Sequence, residues 1–394
     1  MAEFKKEVSA TERFFAVYNE IIPPFVIHMT LEGDGDPSPE SLDEALTRTT
    51  EANPGSSLRI DDSGAAPYWV MGPPPTLTVI DAPEWQGDRD GDDFHRWNLD
   101  SFTGPTCELV YVRGATKNYL VFRAVHAVMD GQGTTRWVKD FMRCLRGEAP
   151  VGHPSTLTID QLVRQTGAER RPVPKADALH PFGAPKMDAV SEHHWRRIKV
   201  PRALDAAVTG RLAVRLAQRA RKNGEGAVRL NLPSDLRYLR PDERTTGNMF
   251  NSLFVDVPED ASPDMIGMKI MQLLYRKEGV KPVGFYGSDT YVGSIALHRV
   301  KLIWDIGHLH DTGRYPASVT LSHLGKLDPA ELSAPSFATT GAYYVPLVGD
   351  SSCVLTLNGF GDTTESGVGM SGRFGGPAEL DELAELVRTA ILGD

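Results

Sequence analysis

The stretch Asn118 to Gly147, NYLVFRAVHAVMDGQGTTRWVKDFMRCLRG, decides how the rest of the chain reads. It opens as an apolar run rich in Val, Leu, Tyr and Phe, the pattern of a buried strand. The run ends at His126, and a polar turn follows with Asp130, Gly131, Gln132, Gly133 and Thr134. Trp137, Val138, Phe141, Met142 and Leu145 then recur at i, i+1, i+4, i+5 and i+8, one face of a helix. Gly147 is a suitable C-terminal stop. His126 and Asp130 are therefore expected at the mouth of a strand–turn–helix unit, where a side chain is held rigidly yet stays reachable.

That spacing suits a base. A neutral imidazole takes a proton from a hydroxyl or amine because its pKa lies near working pH. Asp130 could orient the ring or tie the turn to a distant arginine. Gly131 permits backbone conformations closed to other residues. On spacing alone, a buried, hydrogen-bonded histidine at a strand end is the competing reading.

Six stretches, taken together, carry a family resemblance. His126-Ala-Val-Met-Asp130-Gly131 resembles the HxxxDG signature of the chloramphenicol acetyltransferase-like superfamily. That group includes condensation domains, polyketide-associated acyltransferases, alcohol acetyltransferases and the plant BAHD acyltransferases. Ser9 to Phe14 resembles their opening helix, and Asn53 to Arg59 their "hPaLR" segment. Leu232 to Arg237 resembles "vDLR", Gly247 to Leu253 resembles "GxFxNTL", and Ser322 to Gly325 resembles "SNLG". The set runs in the right order over nearly the whole chain. Condensation domains usually carry two adjacent histidines, and Val125 stands at the first position. This tilts the expectation toward an ester rather than an amide product. The DFGWG motif of BAHD enzymes is absent; its nearest counterpart is Asn358 to Asp362.

The resemblance implies an α/β fold of two similar halves, each a mixed sheet flanked by helices, with an active-site tunnel between them. The expected divisions are 1–175, a linker at 176–190, and 191–394. It implies an acyltransferase of secondary metabolism with His126 as general base. The donor would be acyl-coenzyme A or a phosphopantetheinyl carrier protein, and the acceptor a small alcohol or amine. Asp130 would be structural, paired with Arg237, beside Gly131. Gly133, Asn251 and Ser322 are candidates for oxyanion or substrate contacts. No bound metal or other cofactor is implied, and a monomer is expected. Two rival readings keep the fold: a cyclisation or release enzyme on a carrier-bound intermediate, and a non-catalytic module that docks a carrier protein.

Composition agrees with a soluble globular protein: 394 residues, 41% hydrophobic and 24% charged. The N-terminus lacks the apolar segment of a signal peptide, and no run of eighteen apolar residues exists. Three widely spaced cysteines suit a reducing cytoplasm better than a disulfide framework. A net charge of −10 argues against nucleic-acid binding. Charge is uneven, however. His193 to Arg229 holds ten Lys or Arg against two acids, with Arg211, Arg215 and Arg219 spaced along one helical face. These three are candidates for docking a carrier protein or coenzyme A phosphates, or else belong to a solvated helix face. Asp81 to Asp93, with six acids and one Arg, reads as a solvated loop.

Other candidates are weaker. His308, His310 and Asp311 lack the His-x-x-x-His spacing of a helical metal site. Gly359 to Gly376 has no P-loop lysine and reads as hairpin turns. Ser371 lies in Gly-Met-Ser-Gly-Arg, where Arg373 breaks a nucleophile elbow. A helix after Ser262-Pro263 carries Met265, Met268, Ile270, Met271 and Leu274, expected in the core, and Asp289 to Ile306 is expected to be helical.

Overall fold

Residues 4–89, 93–186, 192–283, 295–349 and 353–393 are described by the computed structural model. The first half carries strands β1 (Lys5–Glu7), β2 (Val26–Asp34), β3 (Leu58–Asp61), β4 (Tyr68–Met71), β5 (Thr76–Asp81), β6 (Cys107–Arg113) and β7 (Asn118–Val125). The second carries β8 (His193–Val200), β9 (Arg229–Asp235), β10 (Phe250–Asp256), β11 (Val319–Leu327), β12 (Ala338–Val345), β13 (Cys353–Phe360) and β14 (Thr363–Ser371). The helices are α1 (Ala10–Ile21), α2 (Pro39–Ala52), α3 (Gly131–Leu145), α4 (Ile159–Thr166), α5 (Val208–Arg221), α6 (Pro263–Tyr275), α7 (Ile295–Thr312) and α8 (Pro377–Leu392).

Helix starts follow local chemistry. Ser9 and Glu12 close a capping box on α1, and Thr158 and Gln161 do the same on α4. Ser38 caps α2, with Pro39 in its first turn. Asp130 caps α3, so the polar stretch read as a turn is already the helix's first turn. α5, which carries the predicted arginine face, begins at Val208, and its N-cap Ala207 offers no side-chain acceptor.

Two large mixed sheets result. One runs β12-β2-β7-β6-β5 and the other β10-β9-β11-β13-β14-β8, beside a small β1-β4-β3 sheet. β6 and β7 pair as an antiparallel hairpin, with Cys107 opposite Ala124. β12 leaves its own half and pairs antiparallel with β2, Tyr343 opposite Thr30. The second half thus supplies an edge strand to the first half's sheet. Trp137 and Phe141 on α3 are fully buried and meet Phe122 of β7 edge-on at 5.5 and 5.0 Å. Burying each such side chain contributes about 1.5–3 kcal/mol. This packing fixes α3 on the sheet, and with it the helix start that holds Asp130.

One expectation is overturned in α6. Among its apolar side chains only Ile266 is buried, with Ile270 and Leu273 partly covered. Met265, Met268, Met271 and Leu274 are exposed. The helix is apolar around most of its circumference, and α5 covers one side of it. The helix expected over Asp289 to Ile306 runs from Ile295 to Thr312, while 289–294 lies outside the described residues. Among the described residues, no helix is long and apolar enough to cross a membrane.

Candidate active site

His126 follows directly on β7, and its backbone N–H donates to the Phe25 carbonyl at 3.1 Å. The ring is oriented by its own turn. Nδ1 lies 3.0 Å from the Met129 carbonyl oxygen. A carbonyl can only accept, so Nδ1 carries the hydrogen and Nε2 keeps its lone pair. Phe15 stacks on the imidazole at 4.2 Å, and Phe25 and Phe250 stack at 5.5 and 5.8 Å. Burial pushes the His126 pKa below its ordinary value; the Met129 carbonyl and the Asp130 carboxylate oppose this without cancelling it. The resting ring is therefore neutral, with an unprotonated Nε2.

Asp130 does not touch that ring. Its Oδ1 accepts from the Gly133 N–H at 2.7 Å, as an N-cap, and from Arg237 Nη2 at 2.9 Å. Its Oδ2 accepts from Arg237 Nη1 at 3.0 Å and from the Met249 N–H at 2.8 Å. Arg237 also donates to Asp235 and to the Gly247 carbonyl. Both members of the pair are buried, and each is surrounded by further hydrogen bonds, the condition under which a buried ion pair is tolerated.

Close backbone approach explains the two glycines. A Cβ on Gly133 would stand 1.8 Å from the Thr246 carbonyl oxygen, and one on Gly131 would stand 2.6 Å from Leu324 Cδ2. Gln132 donates to the Leu324 carbonyl at 3.1 Å. Asn248 donates to the carbonyls of His126 and Ala127 at 2.9 and 2.8 Å. Tyr344 donates to the Gly131 carbonyl at 3.0 Å, and its hydroxyl lies 2.5 Å from Thr135 Oγ1. Three segments of the second half therefore hold the His126–Gly133 loop in place.

Between the halves lies a cavity of about 240 Å³. Phe15, Phe25, Ile27 and His126 line it from the first half, and Phe250, Ser252, Ser322 and His323 are among those from the second. Its wall is mostly apolar with a few polar groups, as in sites for small organic substrates.

The remaining sequence candidates separate. Ser322 faces the cavity. The Gly133 N–H is already committed to Asp130, so it is not a ready oxyanion donor. Asn251 also requires correction. Phe250, Ser252 and Phe254 of β10 line the cavity, so Asn251 points to the other face. There its side chain donates to the carbonyls of Gly279 and Lys281 and accepts from the Ser252 N–H. It pins backbone and is not among the residues that line the cavity. The basic face is likewise engaged in packing. Arg211 pairs with Asp205 at 2.8 Å and donates to the Ala390 carbonyl. Arg219 pairs with Glu382 at 3.0 Å and lies over Phe182, while Arg215 is half-buried. Arg211 and Arg219 thus join α5 to the chain's last helix. No group of three His, Cys, Asp or Glu suited to a metal ion exists among the described residues.

Sequence reasoning missed Phe15, Asn248, Tyr344 and His323. The first three serve the site through contacts that form only when distant segments meet, although Asn248 lies inside the quoted Gly247–Leu253 stretch. His323 stands inside the quoted Ser322–Gly325 motif, at the position of the motif's Asn, and that was its available signal.

No family model matches the sequence, and no curated protein sequence matches it. Solved structures do match over nearly its full length. The first condensation domain of the calcium-dependent antibiotic synthetase, in complex with a substrate analogue, aligns with a TM-score of 0.69 at 14% identity, covering 98% of this chain and 95% of that one. A mutant starter condensation domain of rhizomide synthetase RzmA, in complex with C8-CoA and Leu-SNAC, aligns at 0.66 and 14% identity, covering 99% and 94%. Polyketide synthase associated protein 5 from Mycobacterium tuberculosis aligns at 0.64 and 15%, covering 98% and 96%. The protein therefore has the fold of these condensation domains, an α/β fold in two halves.

Proposed function

We propose that the protein transfers an acyl group from a thioester to an alcohol or amine, with His126 as general base. One observation carries this reading: a neutral histidine, tautomer fixed by the Met129 carbonyl, lines a mostly apolar cavity between the two halves. In the proposed reaction His126 Nε2 removes the acceptor's proton as the acceptor oxygen or nitrogen attacks the thioester carbonyl. The tetrahedral intermediate collapses, the carbon–sulfur bond breaks, and the imidazolium returns the proton to the leaving thiolate. No covalent enzyme intermediate is needed, so no nucleophilic Ser or Cys enters the scheme. The Asp130–Arg237 pair keeps the His126 loop docked on the second half. The coenzyme A thioester in the RzmA complex supports coenzyme A or the chemically equivalent phosphopantetheine arm as donor.

The test is thiol release from a panel of acyl-coenzyme A and acyl-carrier thioesters, with and without mixed alcohols and amines. Acceptor-dependent release is the expected result. Release without any acceptor points to a cyclisation or hydrolytic release step. Silence on every donor overturns the reading in favour of a docking module.

A further inference from the structure

A second histidine, His323, is among the residues that line the cavity, and its side chain remains exposed to solvent. His323 lies on β11, one residue from Ser322. The register of β11 against β13 slips between His323 and Gly325, so His323 stands opposite Leu357 while Gly325 stands opposite Asn358. Leu324 is the extra residue of this bulge. Gly325, just beyond it, adopts a φ of +80°, a conformation that favours glycine.

This local geometry fixes the ring's tautomer. The Gly325 N–H donates to His323 Nδ1 at 3.2 Å. An N–H can only donate, so Nδ1 must be unprotonated, and a neutral ring then carries its hydrogen on Nε2. His126 has the opposite arrangement, hydrogen on Nδ1 and lone pair on Nε2. The two cavity-lining histidines therefore have opposite neutral tautomers, one accepting at Nε2 and the other donating there.

His323 is held next to the reacting loop. Its neighbour Leu324 packs its side chain toward Gly131 and receives the Gln132 side-chain N–H on its carbonyl. Gly131 and Gln132 directly follow Asp130 on the loop that begins at His126.

We propose that His323 is a second catalytic residue that donates its Nε2–H to the thioester carbonyl oxygen as negative charge develops there. The inference rests on the acyl-transfer reading above. In the addition step a bond forms between the acceptor's oxygen or nitrogen and the carbonyl carbon, and His126 takes the acceptor's proton. The carbonyl π electrons move onto oxygen, where the His323 N–H stabilises them by hydrogen bonding. When the intermediate collapses, the C=O bond re-forms, the C–S bond breaks, and the thiolate leaves with the proton from His126. His323 gains and loses no proton. A neutral imidazole suits this role because its donor is already oriented before charge appears.

The test compares full-length wild type, His126→Ala, His323→Ala and His323→Gln in steady-state acyl transfer, using the best donor and acceptor from the panel. His323→Ala should lower kcat by about 10²–10³-fold, with KM changed by less than about threefold, as expected for an interaction made in the transition state. His323→Gln keeps an N–H donor at similar reach and should recover at least about tenfold of the loss. Side-chain ¹⁵N spectra of the wild type should show His323 protonated at Nε2 and bare at Nδ1. If His323→Ala retains full rate while His126→Ala is inactive, acyl transfer stands and the role given to His323 is wrong. A hydrogen on Nδ1 of His323 overturns it equally. If His323→Ala does not fold, the Gln variant and the spectra decide. A wild type silent on every donor overturns both proposals.

Discussion

Arg237 closes a two-point ion pair on Asp130 across 107 residues of sequence, with N–O distances of 2.9 and 3.0 Å. The pair joins the start of α3 to the segment after β9, which lie in different halves. Removing either partner strands a buried charge. Arg237→Ala is expected to destabilise the fold by about 3–5 kcal/mol, read as a lowered urea midpoint. Asp130→Asn keeps a hydrogen-bond acceptor and should cost less than Asp130→Ala. A double-mutant cycle should give strong coupling; independent effects of the two positions contradict the clamp.

The two glycines of the loop should behave differently. A Cβ on Gly133 meets a backbone carbonyl at 1.8 Å, whereas one on Gly131 meets the tip of a leucine at 2.6 Å. Backbone cannot step aside as a side chain can. Gly133→Ala should cost about 3 kcal/mol or more and Gly131→Ala about 1 kcal/mol. Equal midpoints for the two variants contradict the packing described.

Acid should destabilise this protein through buried neutral histidines. Burial, followed by Arg123 and His95, lowers the His28 pKa far below its ordinary value. Burial, followed by Arg219, lowers His180 to about 3. The unfolded chain takes up these protons near the ordinary value of about 6.5, and the native state does not. The stability these groups supply is therefore present above that pH and lost as pH falls below it. From pH 7.5 to 5.5 the two should remove about 3 kcal/mol of stability together. Unfolding midpoints at the two values test this, and an unchanged midpoint contradicts it.

The pH–rate profile should carry the mark of His126. Its pKa is lowered by burial, and the reactive form is the neutral one. The acid limb of kcat/KM should therefore centre below about 6.5, with a plateau through neutral pH. A limb centred above 7 points to a different base.

Much of the fold was legible in local signals. The strand, turn and helix around His126 follow from one apolar run and one 3.6-residue periodicity, and the caps at Ser9, Ser38 and Thr158 mark helix starts. Other features depend on which distant surfaces meet. β12 crosses to β2, and no local pattern states its partner. α6 is apolar on several sides, and periodicity cannot say which side is covered. The charged surface was hard to read for the same reason: the run from His193 to Arg229 looks unbalanced in sequence, yet Arg197 meets Glu32 and Glu365, Arg219 meets Glu382, and Arg229 meets Asp177 and Asp256. At the candidate site the motif residues were visible, Asn248 among them by position though not by role, while Tyr344 became apparent only through its bond to the His126 loop.

The central claim is that His126 Nε2 removes the acceptor's proton. Its most direct test is acylated-acceptor formation, measured by mass spectrometry for wild type and His126→Ala under identical donor and acceptor concentrations. Removal of a general base should slow the reaction by about 10²–10⁴-fold, with the unfolding midpoint of the variant close to that of the wild type. Full-rate product formation by His126→Ala contradicts the mechanism.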